Sequence, residues 1–361
     1  RDIGVLWNNN VGSFSYLPAD PAEMKRKVDL LHGGGWETVV SYFAINQTQT
    51  GTPDYVICEQ EWRRAPYSEQ TMRFGSYATV CAASTWQDMM LWAIDQTMEQ
   101  TGTDGVYLDC SSPRWCTSAL HGCGHGRFTI LATRELQKRI YALVHGRRGD
   151  AGFVYNHNSE NNMITQYSFT DVVLNGEQFN RKDLATLTRA KFRAEFIPHS
   201  LGVPALLLPT LVKFQKDKQE KMPGAEFLAF PLLHDVICLP SWMARDSQKL
   251  LGRIRDAMVV FGLADAEFLP YWSNAAEIGL SSPDATVSAY LRADGKALLA
   301  IAQGPEEPLA LAVELKGRLA ALAGAPASDP LTGEAMQWTD GKLRWSLPDR
   351  AVQLAIVELA Q

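Results

Sequence analysis

The residues best placed to do chemistry are two acids at the ends of apolar runs. In "TDGVYLDC", Val106, Tyr107 and Leu108 lead directly into Asp109; in "DVVLNGEQF", Val172, Val173 and Leu174 lead through Asn175 and Gly176 to Glu177. Such a run reads as a buried strand, and the acid at its tip as a group held in an opening, where a carboxylate stays partly hydrated. Two carboxyl groups sharing a cavity are the equipment for glycosidic cleavage. One protonates the departing oxygen; the other attacks the anomeric carbon, activates water or steadies the developing cation. Taken singly, each acid fits better as a cap for the following segment or as the partner of an arginine, such as Arg114 for Asp109; two of them in one barrel bring the catalytic reading level with that one.

Other polar side chains cluster near these ends. "NHNS" at 156–159 offers Asn156, His157 and Asn158, donors and acceptors suited to sugar hydroxyls, or to a turn; His157 is also a candidate acid or base. "CSSPRWCTSALHGCGHG" at 110–126 holds three Cys and two His. Cys110, Cys116 and Cys123 are six and seven residues apart, unlike the tight pairs of structural zinc sites. The expectation is a glycine-rich site loop with packed thiols or one disulfide, with no metal and no cofactor, in which Trp115 and His121 touch substrate. Trp7, Asn8, Tyr42, Tyr107 and Gln178, on or beside strand ends, complete the expected sugar-binding set. His32, His145, His199 and His234 lie in or beside expected helices and strands and read as structural.

The elements that must position these residues alternate. "IGVLW" (3–7), "TVVSYFA" (38–44), "GVYLD", "FVYNHN", "DVVLNGE" and "VPALLLPTL" read as strands, separated by segments of helical period. Asp20 and Pro21 form a cap and first turn before Met24, Val28 and Leu31, and Ser84 precedes Trp86, Met90 and Ile94. Leu136, Ile140, Leu143 and Val144 outline another helix. The connection from 45 to 84 is too long for an ordinary βα loop. "AEFLAFPLL" and "DAMVVFGL" fit strand or helix. From about residue 284, "TVSAYLRADGKALLAIAQG" and "LRWSLPDRAVQLAIVEL" alternate around turn signals. The pattern is that of an α/β chain: a (β/α)8 TIM-type barrel over 1–280, followed by a small antiparallel β-sandwich domain over 284–361. In such a barrel, residues just past the strand C-termini share one mouth.

Composition narrows the function. The chain has 361 residues, 46% hydrophobic and 20% charged, with net charge −6 and no basic run, which disfavours nucleic acid; ten Trp and eleven Tyr suit sugar stacking. No apolar run reaches the roughly 18 residues of a membrane span. The sequence opens at Arg1 with no signal-peptide pattern, as in a processed or excised chain. Six cysteines are too few for a disulfide framework at this length. Dinucleotide, Walker, H-E-x-x-H and G-x-S-x-G motifs are missing, which weighs against dehydrogenase, nucleotide hydrolase, zincin and serine-hydrolase readings.

"DGVYLDC", "HGCG", "ATRELQKRIY", the "NHNS" turn, "SFTDVVLNGEQF" and "FRAEF" together resemble the catalytic region of bacterial proteins that are glycoside hydrolase family 123-like, over about residues 103 to 240. The resemblance implies a (β/α)8 barrel with an accessory β-sandwich and glycan hydrolysis without a cofactor. In that family an adjacent Asp-Glu pair acts on β-linked N-acetylgalactosamine; here Cys110 follows Asp109, so the tandem pair is not present at this motif. Asp109 and Glu177 are therefore the expected carboxylates, Asp109 as nucleophile or stabiliser and Glu177 as acid/base. One further strand ahead of Asp109 would place them on strands four and six, as in retaining glycosidases of the α-galactosidase-like clan. The competing readings are a catalytically silent carbohydrate-binding barrel and a metal-dependent hydrolase using the Cys/His loop. The expected partner is a carbohydrate, not nucleic acid or membrane, with oligomeric state open. Because polymeric glycans lie outside the cell, a secreted or periplasmic location is expected.

Overall fold

The computed structural model describes residues 3–6, 16–72, 75–158, 164–179, 187–196, 201–215, 218–221, 228–303, 309–347 and 352–358. Trp7 and Asn8, two of the expected sugar contacts, lie outside them, as does His199. Seven strands form one sheet in chain order: β1 (Ile3–Leu6), β2 (Thr38–Ala44), β3 (Gly105–Asp109), β4 (Phe153–His157), β5 (Val172–Asn175), β6 (Ala205–Leu207) and β7 (Ile237–Cys238). Pairing is parallel from β1 through β5 and between β6 and β7. Sequential parallel strands with helical crossovers are the signature of a (β/α) barrel-type fold. The chain divides into two compact units, residues 1–175 with 200–205, and residues 176–199 with 206–361.

In the first unit, strand alternation sorts the side chains. Phe43, Val106, Leu108 and Val154 pack with Trp86, Met90, Ile94 and Met98 of α1 (Trp86–Thr101) and with Leu136, Ile140 and Val144 of α2 (Ile130–Arg148). The other face of β2, β3 and β4 carries Tyr42, Tyr107 and Tyr155 side by side in register. Both helices bury one stripe at i, i+4, i+8, as an amphipathic crossover must. Thr85, one residue past the expected Ser84, is the N-cap position of α1, although Ser84 Oγ still accepts from the Trp86 N–H at 3.3 Å. The expected first helix, Pro21–Gly33, does begin at Asp20, whose carboxylate accepts from the Glu23 N–H at 2.9 Å. Gly105 opens β3 because a Cβ there would stand 1.8 Å from the Phe153 carbonyl oxygen of the neighbouring strand. The long connection after β2 is structured: a helix, Pro53–Trp62, and a three-stranded antiparallel sheet formed by 47–49, 69–72 and 75–79.

The second unit holds the end of β6 from Leu206, β7, the helix Arg245–Phe261, a two-stranded antiparallel pair formed by 212–215 and 218–221, and two larger antiparallel sheets. "DAMVVFGL" is the end of that helix: Leu251, Ile254, Ala257 and Phe261 are buried at helical spacing while Val259 and Val260 are exposed. Gly262, with φ +79°, stops it. Sheets of five and four strands, running from Ala266 to Glu358, enclose one core that includes Val287, Leu299, Ile301, Leu311, Val313, Leu343, Trp345 and Val357. That is a β-sandwich. Its first strands, Ala266–Leu269 and Ile278–Leu280, precede the change of pattern at 284 because three or four residues carry no visible alternation. No helix among the described residues is long and apolar enough to cross a membrane.

Candidate active site

The tyrosine ladder explains where Asp109 sits. Two residues beyond Tyr107 on the same face of β3, Asp109 pairs in register with Ala44, a side chain too small to cover it. Tyr42, one layer below on β2, donates its hydroxyl to Asp109 Oδ2. The backbone N–H of Cys110 donates to Oδ1 at 2.6 Å, from a residue turned into the left-handed region at φ +52°. His157, two residues beyond Tyr155 on the same face of β4, brings Nδ1 within 3.2 Å of Asp109 Oδ1 and 2.8 Å of the Tyr107 hydroxyl. Ser111 Oγ donates to the His157 carbonyl at 2.6 Å and Gln166 Nε2 to the Ser111 carbonyl at 3.3 Å, which ties the chain after Asp109 to β4.

The Asp109 side chain retains 27% exposure, enough to meet a ligand. Burial raises its pKa, but the His157 hydrogen bond and charge, the Tyr42 hydroxyl and the Cys110 N–H outweigh that and hold it below the ordinary aspartate value. A carboxyl kept ionised in this way serves as a nucleophile, a base or a cation stabiliser, and is unsuited to donate a proton near neutral pH. The same anion, with burial as the larger cause, pushes the Tyr42 hydroxyl far above its ordinary pKa, so Tyr42 remains a donor. Tyr42 stacks on Tyr107 (centroids 5.4 Å apart) and Tyr107 meets Tyr155 edge-on at 4.8 Å. The donors to Asp109 are therefore fixed by packing before any ligand arrives.

Of the residues expected from sequence, Tyr42, Tyr107, Asp109 and His157 are thus brought together. Asn156 lies on the opposite face of β4, fully buried, with Nδ2 3.5 Å from Thr170 Oγ1. Asn158 is buried just past β4, and neither of its amide atoms has a partner among the described residues. Trp115 is exposed, edge-on to Phe128 at 5.4 Å. His121 is buried, and its ring nitrogens contact the Glu61 carbonyl and Cys116 Sγ, not the Asp109 group. Sequence reasoning missed Ser111 and Gln166, whose roles rest on contacts across 46 and 55 residues. It also grouped Cys110 with Cys116 and Cys123, whereas the thiol that joins those two is Cys81.

In the second unit, Glu177 is half-buried in the turn after β5. Gly176 makes that turn at φ +120°, where a Cβ would stand 2.5 Å from Leu207 Cδ1, so only glycine fits. The Phe179 N–H closes the turn on the Gly176 carbonyl at 2.9 Å, and Thr210 Oγ1 donates to the Glu177 carbonyl at 2.5 Å. Gln178 is held by its neighbours: its Oε1 accepts from the Gly176 N–H at 3.1 Å and its Nε2 donates to Glu195 at 3.3 Å.

No family model matches the chain, and no curated protein does. Solved structures do. An α-L-fucosidase isoenzyme 2 from Paenibacillus thiaminolyticus is similar at TM-score 0.63 and 9% identity, over 100% of this chain and 94% of that one. A maltogenic α-amylase from Thermotoga neapolitana is similar at 0.62 and 9%, over 99% and 91%. A family 27 β-L-arabinopyranosidase from Geobacillus stearothermophilus, in complex with arabinose, is similar at 0.61 and 13%, over 99% and 88%. At such identities the likeness is one of fold: a (β/α) barrel followed by an antiparallel β domain, the architecture these glycoside hydrolases share with this chain.

Proposed function

We propose that the protein is a glycoside hydrolase in which Asp109 is the nucleophile or cation-stabilising carboxylate and Glu177 the acid/base. The observation that carries this reading is the environment of Asp109: an anion at the tip of a parallel strand, gripped by Tyr42, the Cys110 N–H and His157, yet partly open. Those donors do half the work of a glycosidase by keeping one carboxylate charged. The other half needs a carboxylic acid, and Glu177, immediately past the end of β5, is the candidate of the right chemistry. In the proposed reaction the Glu177 carboxyl gives its proton to the departing oxygen as that bond breaks. Asp109 attacks or stabilises the anomeric carbon, and water enters with Glu177 taking back a proton. The exposed Trp115 and Phe128 and the buried amides of Asn158 are candidate sugar contacts. Three solved structures of like fold are glycosidases by name, which supports the class and leaves the sugar open. The family 123 resemblance stays at the level of its motifs, since Cys110 replaces the acidic neighbour that N-acetylhexosamine chemistry would use.

The test is a panel of aryl glycosides and natural glycans, with NMR reading the anomer formed first. Retention supports Asp109 as nucleophile or stabiliser with Glu177 as acid/base; inversion would contradict that assignment and make Asp109 the base that activates water. Glu177→Gln should suppress turnover most on substrates with poor leaving groups. Turnover on no member of the panel, with sugar binding intact, would favour a carbohydrate-binding barrel without catalysis.

A further inference from the structure

Beside the segment that follows Asp109 lies a second cluster with chemistry of its own. Cys81, Cys116 and Cys123, each at most 1% exposed, hold their three sulfurs within 4.8 Å of one another, and none is in a disulfide. Among the described residues, the partly buried Ala83 is the hydrophobic neighbour that packs against them. His121, also buried, places Nδ1 3.5 Å from Cys116 Sγ, while Nε2 lies 2.6 Å from the Glu61 carbonyl oxygen. A carbonyl oxygen only accepts, so the ring proton sits on Nε2 and the Nδ1 lone pair is left facing Cys116 Sγ. We propose that Cys81, Cys116, Cys123 and His121 form a structural zinc site that clamps the loop between β3 and α2.

The dimensions fit. Tetrahedral zinc with bonds of about 2.3 Å to sulfur and about 2.0 Å to nitrogen sets sulfur–sulfur edges near about 3.8 Å and sulfur–nitrogen edges near about 3.5 Å. The His121–Cys116 edge already has that length; the sulfur triangle needs to contract by at most about an ångström, and His121, which lies outside the 4.8 Å grouping of the three sulfurs, must close on the other two as the ion binds. The carbonyl behind His121 is the outer support that fixes the tautomer of metal-bound imidazoles. Donors to sulfur stand ready as well: the Ser118 N–H 3.4 Å from Cys116 Sγ and Arg127 Nε 3.4 Å from Cys123 Sγ. Three thiolates on a dication leave one negative charge, which the Arg127 guanidinium offsets. On binding, each thiol releases its proton to solvent as its sulfur bonds the ion, and no electron is transferred.

Four protein ligands leave no open position, so the ion holds structure and does not activate water. It would join the segment before α1, which carries Cys81, to the hairpin of Trp115–Cys116 and Arg127–Phe128. That fixes the chain emerging from Asp109 and its Ser111 tether. Cys81 and Cys116 are far apart in sequence, so the ion closes a long loop.

The experiment is elemental analysis of the full chain, purified reduced and without chelator, followed by Co²⁺ reconstitution of chelator-treated protein. The expected result is about one zinc per chain and visible ligand-field bands of tetrahedral thiolate cobalt. Cys116→Ser and Cys123→Ser should lose the metal, and His121→Ala should weaken it by about tenfold or more. Alkylation should modify these three thiols only after chelation. Fully reduced wild-type chain that takes up neither zinc nor cobalt would overturn the proposal, even if every variant failed to fold. So would mass mapping that finds two of the three cysteines in a disulfide in freshly isolated protein.

Discussion

Replacing Tyr42 by Phe removes one hydroxyl and keeps the ring that stacks on Tyr107, so its consequences report on what that hydroxyl does, including its hydrogen bond to Asp109 Oδ2. A hydrogen bond to a charged group contributes about 1.5–3 kcal/mol, against about 0.5–1.5 for a neutral pair. Tyr42→Phe should therefore destabilise the fold by about 2 kcal/mol at pH 7, read from urea unfolding at constant slope. The pH dependence follows from the sign of the shift. Because the folded chain holds Asp109 below its unfolded pKa, the contribution of this carboxylate is fully present above the ordinary aspartate range. It is lost as the pH falls through the folded value. The destabilisation by Tyr42→Phe should shrink by about 1 kcal/mol once Asp109 is protonated, when only a neutral bond remains to be lost. Carbon NMR of the Asp109 carboxyl should show its titration moving to higher pH in the variant, and the acid limb of any activity profile should move the same way. A titration that stays in place, or a loss at pH 7 below about 0.5 kcal/mol, would refute the claim that Tyr42 holds the anion.

Three further substitutions probe the frame. Gly105→Ala forces a Cβ against the Phe153 carbonyl in the neighbouring strand and should abolish soluble expression or lower Tm by about 10 °C or more. Gly176→Ala requires φ +120° and displacement of Leu207. A cost of about 3 kcal/mol or more is expected in urea unfolding, with the turn carrying Glu177 disturbed. In the sandwich, Asn274 Nδ2 donates to the Leu269 and Val287 carbonyls, so Asn274→Leu leaves two buried acceptors unpaired and should cost about 2–4 kcal/mol by the same measurement.

The strands that carry the candidate site were legible because each has four to seven residues built around apolar or aromatic side chains, long enough for pattern to speak: Thr38–Ala44, Gly105–Asp109, Phe153–His157 and Val172–Asn175. Ile237–Cys238 has two residues and no pattern, and only its pairing with Leu206 and Leu207 makes it a strand. The helix Arg245–Phe261 was ambiguous in an eight-residue window; its stripe emerges only over the full 17 residues. At the site, residue types were visible but bonding was not. That Tyr42, Tyr107 and Tyr155 stand in one row, with Asp109 and His157 one layer above, depends on strand register, which no single segment encodes. Cys81 illustrates the same limit: its connection to Cys116 and Cys123 runs through the fold alone.

The most direct test of the central claim compares wild type with Asp109→Asn on whichever glycoside the panel identifies, measuring kcat and, by calorimetry, sugar affinity. The expected outcome is a fall in kcat of about a thousandfold or more with affinity changed by less than about tenfold, as for a group that acts only in the transition state. Undiminished turnover in the amide variant would contradict the role assigned to Asp109.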